Sequence, residues 1–64
     1  MALNLDRRDR KILQELDRDA RISYSELGRR VGLSQPATAE RVKALEESGL
    51  IRGYRVELDY EKLG

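Results

Sequence analysis

Four side chains, Gln35, Ala39, Glu40 and Lys43, recur at the three- and four-residue spacing that places them on one side of a helix. Together they offer the chemistry needed to read base edges. A Gln amide can pair bidentately with adenine, an Ala methyl can touch a thymine methyl, and a carboxylate can accept from cytosine N4. Lys43, one turn beyond Ala39, can reach a base or a phosphate. Away from a cytosine, Glu40 is an ordinary solvated carboxylate that repels phosphate. Thr38, Val42 and Leu45 supply the apolar stripe that turns this polar side outward.

The elements that must hold these residues lie in the stretch Ser23 to Gly49. Ser23 reads as an N-cap, Glu26 three residues later can complete a capping box, and Ile22 with Leu27 is spaced as a hydrophobic staple. These signals predict a helix over 24–31, with Leu27 and Val31 buried and Gly32 as its left-handed terminator. Ser34 caps a second helix over 35–48, where Pro36 falls in the first turn and gives up no intrahelical bond. Two helices separated by so few residues cross steeply, which is the helix-turn-helix arrangement. Gly28, inside the first of them, costs about 1 kcal/mol relative to Ala. Close approach of the second helix would account for it, with a tolerated surface glycine as the alternative.

A third helix is required, because two short helices cannot enclose their own apolar stripes. Asp6 as N-cap with Asp9 three residues on predicts it over 6–17, with Ile12, Leu13 and Leu16 inward and Asp9, Arg10, Lys11, Gln14 and Glu15 mostly outward. Leu3 and Leu5 are placed to cover one end. The expected core is Ile12, Leu13, Leu16, Ile22, Leu27, Val31, Leu33, Thr38, Val42, Leu45 and Leu50. Beyond Gly49 the period changes to two: Tyr54, Val56, Leu58 and Tyr60 alternate with Arg55, Glu57 and Asp59, predicting a strand over 54–58. A lone strand leaves its backbone unpaired along both edges. It therefore needs the stretch near Ile22 or the same strand of another copy, which would make a homodimer through Tyr54, Val56 and Leu58. The fold class is mainly α: one domain over 1–64, a three-helix winged-type helix-turn-helix followed by one strand.

Composition narrows the function. The chain has no cysteine and no histidine, which removes disulfides, thiolate metal sites and the usual neutral-pH base. No glycine lies in a phosphate-cradling loop, and the carboxylates of Asp6, Asp9, Asp17 and Asp19 surround a helix without a partner for catalysis. No enzyme, cofactor or metal is expected. No apolar run is long enough to cross a bilayer and the first residues do not resemble a signal peptide, so a cytoplasmic protein, associated with the nucleoid through its DNA, is the expectation. The formal charge is only +1, but basic residues outnumber acidic ones over 1–55, while 56–64 set Lys62 against Glu57, Asp59 and Glu61. A nucleic-acid reader needs a basic face more than a high total charge. Ser34 with the first turn it caps, Arg29, Arg30, Arg52 and Arg55 are the expected phosphate contacts. Arg41 is more lateral, suited to a phosphate or an internal salt bridge. The expected partner is double-stranded DNA, with a protein-interaction or assembly module on the same fold as the competing reading.

The ordered string Leu5-Asp6, Ile12-Leu13, Ser25-Glu26-Leu27-Gly28, Val31-Gly32-Leu33-Ser34, Arg41-Val42, Leu45-Glu46, Gly49-Leu50-Ile51 and Gly53-Tyr54 resembles the N-terminal DNA-binding domain of the Lrp/AsnC transcription regulators. The resemblance covers essentially the whole chain. It implies sequence-specific DNA binding in transcription regulation, with Gln35 to Lys43 as the reading region and Tyr54 to Leu58 as a hinge strand leading to a second domain. In the family that αβ-sandwich binds amino-acid effectors and carries much of the oligomer interface. The present sequence stops at Glu61-Lys62-Leu63-Gly64, where the family's linker would hand over to it, so no amino-acid effector is expected for this chain alone. Glu40 departs from the basic or neutral residue often found at its position.

Overall fold

The computed structural model describes residues 4–64, so Leu3 lies outside the described residues. Four helices follow one another: α1 Arg7–Arg18, α2 Tyr24–Val31, α3 Gln35–Glu47 and a single turn, α4 Tyr60–Leu63.

Local hydrogen bonding explains each start. Asp6 Oδ1 accepts from the Asp9 N–H at 2.8 Å and Asp9 Oδ2 accepts from the Asp6 N–H at 3.3 Å, a reciprocal box built from two aspartates. Ser23 Oγ accepts from the Glu26 N–H at 3.1 Å. The second half of the box expected there is not made, because the Glu26 carboxylate turns to Arg29 and Arg30 instead. Ser34 Oγ accepts from the Ala37 N–H at 3.2 Å. Asp59, whose Oδ1 accepts from the Glu61 and Lys62 N–H groups, starts α4, a helical turn not predicted from the sequence.

α2 ends on Gly32 in the left-handed region at φ 77°, a conformation that costs a residue with a Cβ about 1–2 kcal/mol. The Leu33 N–H then donates back to the Gly28 carbonyl at 2.9 Å, and the chain turns sharply into α3. Gly28 lies where α2 closely approaches the turn and the start of α3. A Cβ there would lie 2.6 Å from the Leu33 carbonyl oxygen and 2.8 Å from Thr38 Oγ1, so the glycine is what lets the two helices meet.

Ile12, Leu27, Val31, Val42 and Leu45 are buried together, with Leu5, Leu13, Leu16, Ile22, Leu33 and Ile51 packed around them. Thr38 is fully buried, its hydroxyl donating to the Ser34 carbonyl at 2.8 Å. Two expectations about burial are corrected. Leu50 is 43% exposed and Ile51 takes its place, because Gly49 at φ 86° swings the chain and the Ile51 N–H docks on the Leu45 carbonyl. Glu15 is only 4% exposed, although its charge assigned it to the outer face of α1.

The strand expected over 54–58 is not present among the described residues. Residues 52–59 have no regular structure, and Val56 is 80% exposed. Alternation alone does not make a strand, because its backbone groups need a ladder partner. The candidate near Ile22 is already engaged, its N–H donating to the Asp19 carbonyl at 3.2 Å.

Candidate nucleic-acid interface

The inward side of α3 is set by Thr38, Val42 and Leu45, all buried. Helical geometry, about 100° per residue, then turns Ala39, Glu40 and Lys43 away from the core, while Gln35, nearly in line with Val42, is exposed as the first residue of the helix. Gln35, Glu40 and Lys43 are exposed and Ala39 is half-buried. The Lys43 ammonium has only Glu47 near it, at 4.0 Å with both side chains largely in solvent, and Glu40 makes no ion pair among the described residues. A pair that long and exposed holds the lysine weakly. Ala39, Glu40 and Lys43 therefore form an outward stripe, with Gln35 exposed at its start.

The first turn of α3 offers fewer donors than an open helix start. Pro36 has no N–H and the Ala37 N–H is taken by Ser34 Oγ, which leaves the Gln35 N–H and the Ser34 hydroxyl hydrogen for an incoming oxygen. Arg52 and Arg55 are exposed and free of ion pairs among the described residues.

The other expected phosphate contacts already have partners. Arg29 forks onto Glu26, with Nη2 2.7 Å from each carboxylate oxygen. Arg30 bridges two carboxylates, Nε to Glu26 at 2.9 Å and Nη1 to Glu15 at 2.7 Å. Arg41 reaches from α3 to the start of α1, where its Nη1 donates to Asp6 Oδ2 and, at 3.3 Å, to Asp9 Oδ1. Two residues from Ala39 and two from Lys43, it lies about 160° round the helix from both. The outward stripe and Arg41 thus face opposite ways.

These pairs shift the carboxyl groups in one direction. Hydrogen bonds from Arg29 and then Arg30 hold Glu26 below its ordinary range. The Arg30 bond does the same for Glu15 against the opposing effect of burial, and the Arg41 bond for Asp6. Arg30 and Arg41 are raised in turn, chiefly by Glu26 and by Asp6. At the far end of α3 the Tyr54 hydroxyl donates to Glu46 at 2.7 Å, and burial followed by that carboxylate pushes its pKa up to about 12. Glu46 is thereby tied to the segment after α3, away from the outward stripe.

Two structural participants were not singled out from sequence. Arg8 donates from Nε to the Val31 carbonyl at 3.3 Å and so closes the C-terminal end of α2 beside the turn. Glu15 collects Arg30, Lys11 at 3.5 Å and Arg18 at 3.8 Å. Its signal was available: three residues from Ile12 and beside Leu16, it sits on the apolar side of α1, where a carboxylate requires cations.

A fold of this geometry, with a capped exposed helix after a tight turn, has known counterparts. Residues 5–52 match the family described as winged helix-turn-helix DNA-binding. The chain belongs to that family. Among curated relatives, HTH-type transcriptional regulator LrpC of Bacillus subtilis is 47% identical over 62 residues, covering 97% of this chain and 43% of that protein. The leucine-responsive regulatory protein of Rhizobium meliloti is 52% identical over 62 residues, covering 97% of this chain and 40% of the relative. Among solved structures, B. subtilis LrpC superposes with a TM-score of 0.88 at 47% identity, over 97% of this chain and 44% of that one. A transcriptional regulator of Neisseria meningitidis, solved as a complex with L-Met, gives 0.91 at 40% identity, over 94% and 39%. The winged helix-turn-helix chain thus spans less than half the length of the regulators it matches. Those relatives are named as transcription regulators, not enzymes, in agreement with the Lrp/AsnC resemblance of the sequence. Among the described residues no helix is long and apolar enough to cross a membrane.

Proposed function

We propose that α3 enters the major groove of duplex DNA and reads base edges with Gln35, Ala39, Glu40 and Lys43, as the DNA-reading domain of a transcription regulator. The observation that carries this reading is the outward stripe itself: four side chains capable of base contacts on the helix that follows the turn, none held by more than the loose Lys43–Glu47 pair. Ser34, Arg52 and Arg55 are the phosphate contacts closest to being free. Arg29, 76% exposed, contributes by exchanging Glu26 for phosphate, and Arg30 does so more weakly because it is shared with the buried Glu15. The exposed segment with Tyr54, Val56 and Leu58 pairs with its counterpart in a second copy, which would supply the missing ladder and set two α3 helices on adjacent half-sites. The chain's place is the cytoplasm, on the nucleoid.

The test is an anisotropy titration of the domain against duplex selected from a random pool, at two salt concentrations and with Lys43→Ala. Salt-sensitive binding that selects a site with two-fold symmetry and weakens on loss of Lys43 is expected. No binding even at low salt would overturn the reading for a single copy and point to a different partner.

A further inference from the structure

The guanidinium of Arg41 is the one polar tie between α1 and α3 among the described residues. Its two acceptors are not incidental surface groups. Asp6 is the N-cap of α1 and Asp9 closes the reciprocal box with it, so both carboxylates are held in place by backbone N–H groups before Arg41 arrives. Arg41 is itself less than one-third exposed. By contrast α2 is fastened to its neighbours several times over, to α1 through Arg8 and Arg30 and to α3 through the close approach at Gly28.

Resting on the reading proposed above, we propose that Arg41 is a positioning residue rather than a phosphate ligand. Clamped by Asp6 and Asp9, it sets the roll of α3 and so the register in which Gln35, Ala39, Glu40 and Lys43 meet a duplex. Leverage makes this matter. With side chains at about 5–6 Å from the helix axis, a roll of about 10° moves their tips by about 1 Å. That exceeds the tolerance of roughly 0.5 Å within which a recognition constellation works. The clamp and the stripe are on opposite sides of the helix, so anchoring the one fixes the other without obstructing it.

Two variants separate the roles. Arg41→Gln removes the clamp from α3, and Asp6→Asn weakens it from α1 while keeping a good N-cap residue. A positioning role predicts that both lower the ratio of specific to random-duplex affinity by about tenfold, the scale of one mismatched base pair. The salt slope stays as in the parent, and the double variant is no worse than either single one. If Arg41 were a phosphate ligand, Arg41→Gln would instead reduce the salt slope by about 0.9, and Asp6→Asn, by releasing it, would tighten binding to any duplex. That pair of results overturns the proposal. A second arm needs no DNA: both variants should displace the same backbone amide NMR signals over 35–43. Unchanged signals there in two folded variants would also overturn it. Failure of the parent domain to bind duplex at low salt is a separate result that sinks the reading role alone.

Discussion

Replacing Gly28 by Ala pits helix propensity against packing. In an isolated helix the substitution would stabilise by about 1 kcal/mol. Here the new methyl would sit 2.6 Å from the Leu33 carbonyl oxygen and 2.8 Å from Thr38 Oγ1. Neither neighbour can step aside cheaply. Leu33 is in the turn, its own N–H bonded to the Gly28 carbonyl, and the Thr38 hydroxyl is committed to the Ser34 carbonyl. Overpacking of this kind costs roughly 1–3 kcal/mol, and two clashes against fixed oxygens place it at the upper end. The net expectation is destabilisation by about 1–2 kcal/mol. In a domain of this size each kcal/mol lowers the melting temperature by about 4–8 °C. Thermal melting followed by circular dichroism measures it, with Gly53→Ala as the control. A Cβ at Gly53 meets nothing within 4 Å, so that variant should melt at or slightly above the parent temperature. A Gly28→Ala protein as stable as the parent would refute the close crossing of α2 and α3. Because relief of the clash must push α3 outward, the same variant should bind DNA less well even where it is fully folded.

Acid should unfold the domain through three carboxyl groups. Asp6, Glu15 and Glu26 are each lowered in the fold, so their stabilisation is complete above the ordinary values of 3.8, 4.5 and 4.5 and is lost as pH falls through the lower folded values. A stability profile that stays flat as pH drops below 4.5 would contradict the ion pairs. At the alkaline end the sign reverses for Tyr54: its contribution is intact below pH 10.0 and lost as pH rises through about 12, so Tyr54→Phe should remove the tyrosinate absorbance step near pH 12. Substituting Arg52 or Arg55 by Gln should leave the melting temperature unchanged and reduce the salt slope of DNA binding by about 0.9 for each phosphate no longer neutralised.

The helices were legible because their start signals are local. Each of Asp6, Ser23 and Ser34 satisfies an N–H only three residues away, so residue type and spacing suffice to find the cap. What escaped depends on partners distant in sequence. Arg41 and Asp6 are 35 positions apart, and nothing in either neighbourhood says that they meet. Arg30 reaches back 15 positions to Glu15, whose place on the apolar side of α1 is a local signal but whose partner is not. The strand failed for the same reason: alternation at Tyr54, Val56 and Leu58 records a preference, but a ladder requires a second chain segment. The exchange of Leu50 for Ile51 turned on one residue, since the left-handed turn at Gly49 shifts everything after it.

The distribution of arginines bears on how such a domain achieves affinity. Those on α2 and α3 that sequence alone would assign to phosphate are already engaged with carboxylates: Arg30 on Glu15 of α1 and on Glu26 of its own helix, Arg41 on Asp6 and Asp9 at the start of α1, and Arg29 on Glu26 within α2. Of the cations expected at the duplex, Lys43, Arg52 and Arg55 are the least engaged. Affinity through counterion release rises with each phosphate neutralised, so a single copy has a small electrostatic footprint and should bind weakly. Linking two copies changes this without altering the interface of either, because the second α3 then docks from an effective concentration set by the connection. The exposed segment with Tyr54, Val56 and Leu58 directly follows Arg52 and ends beside α4, so pairing it with a second copy would also bring two sets of these cations onto one duplex. Tethering two domains through this segment should therefore increase affinity for a symmetric site far more than for a single half-site. Equal gains on both duplexes would mean that the connection contributes charge alone and does not set the spacing of the two reading helices.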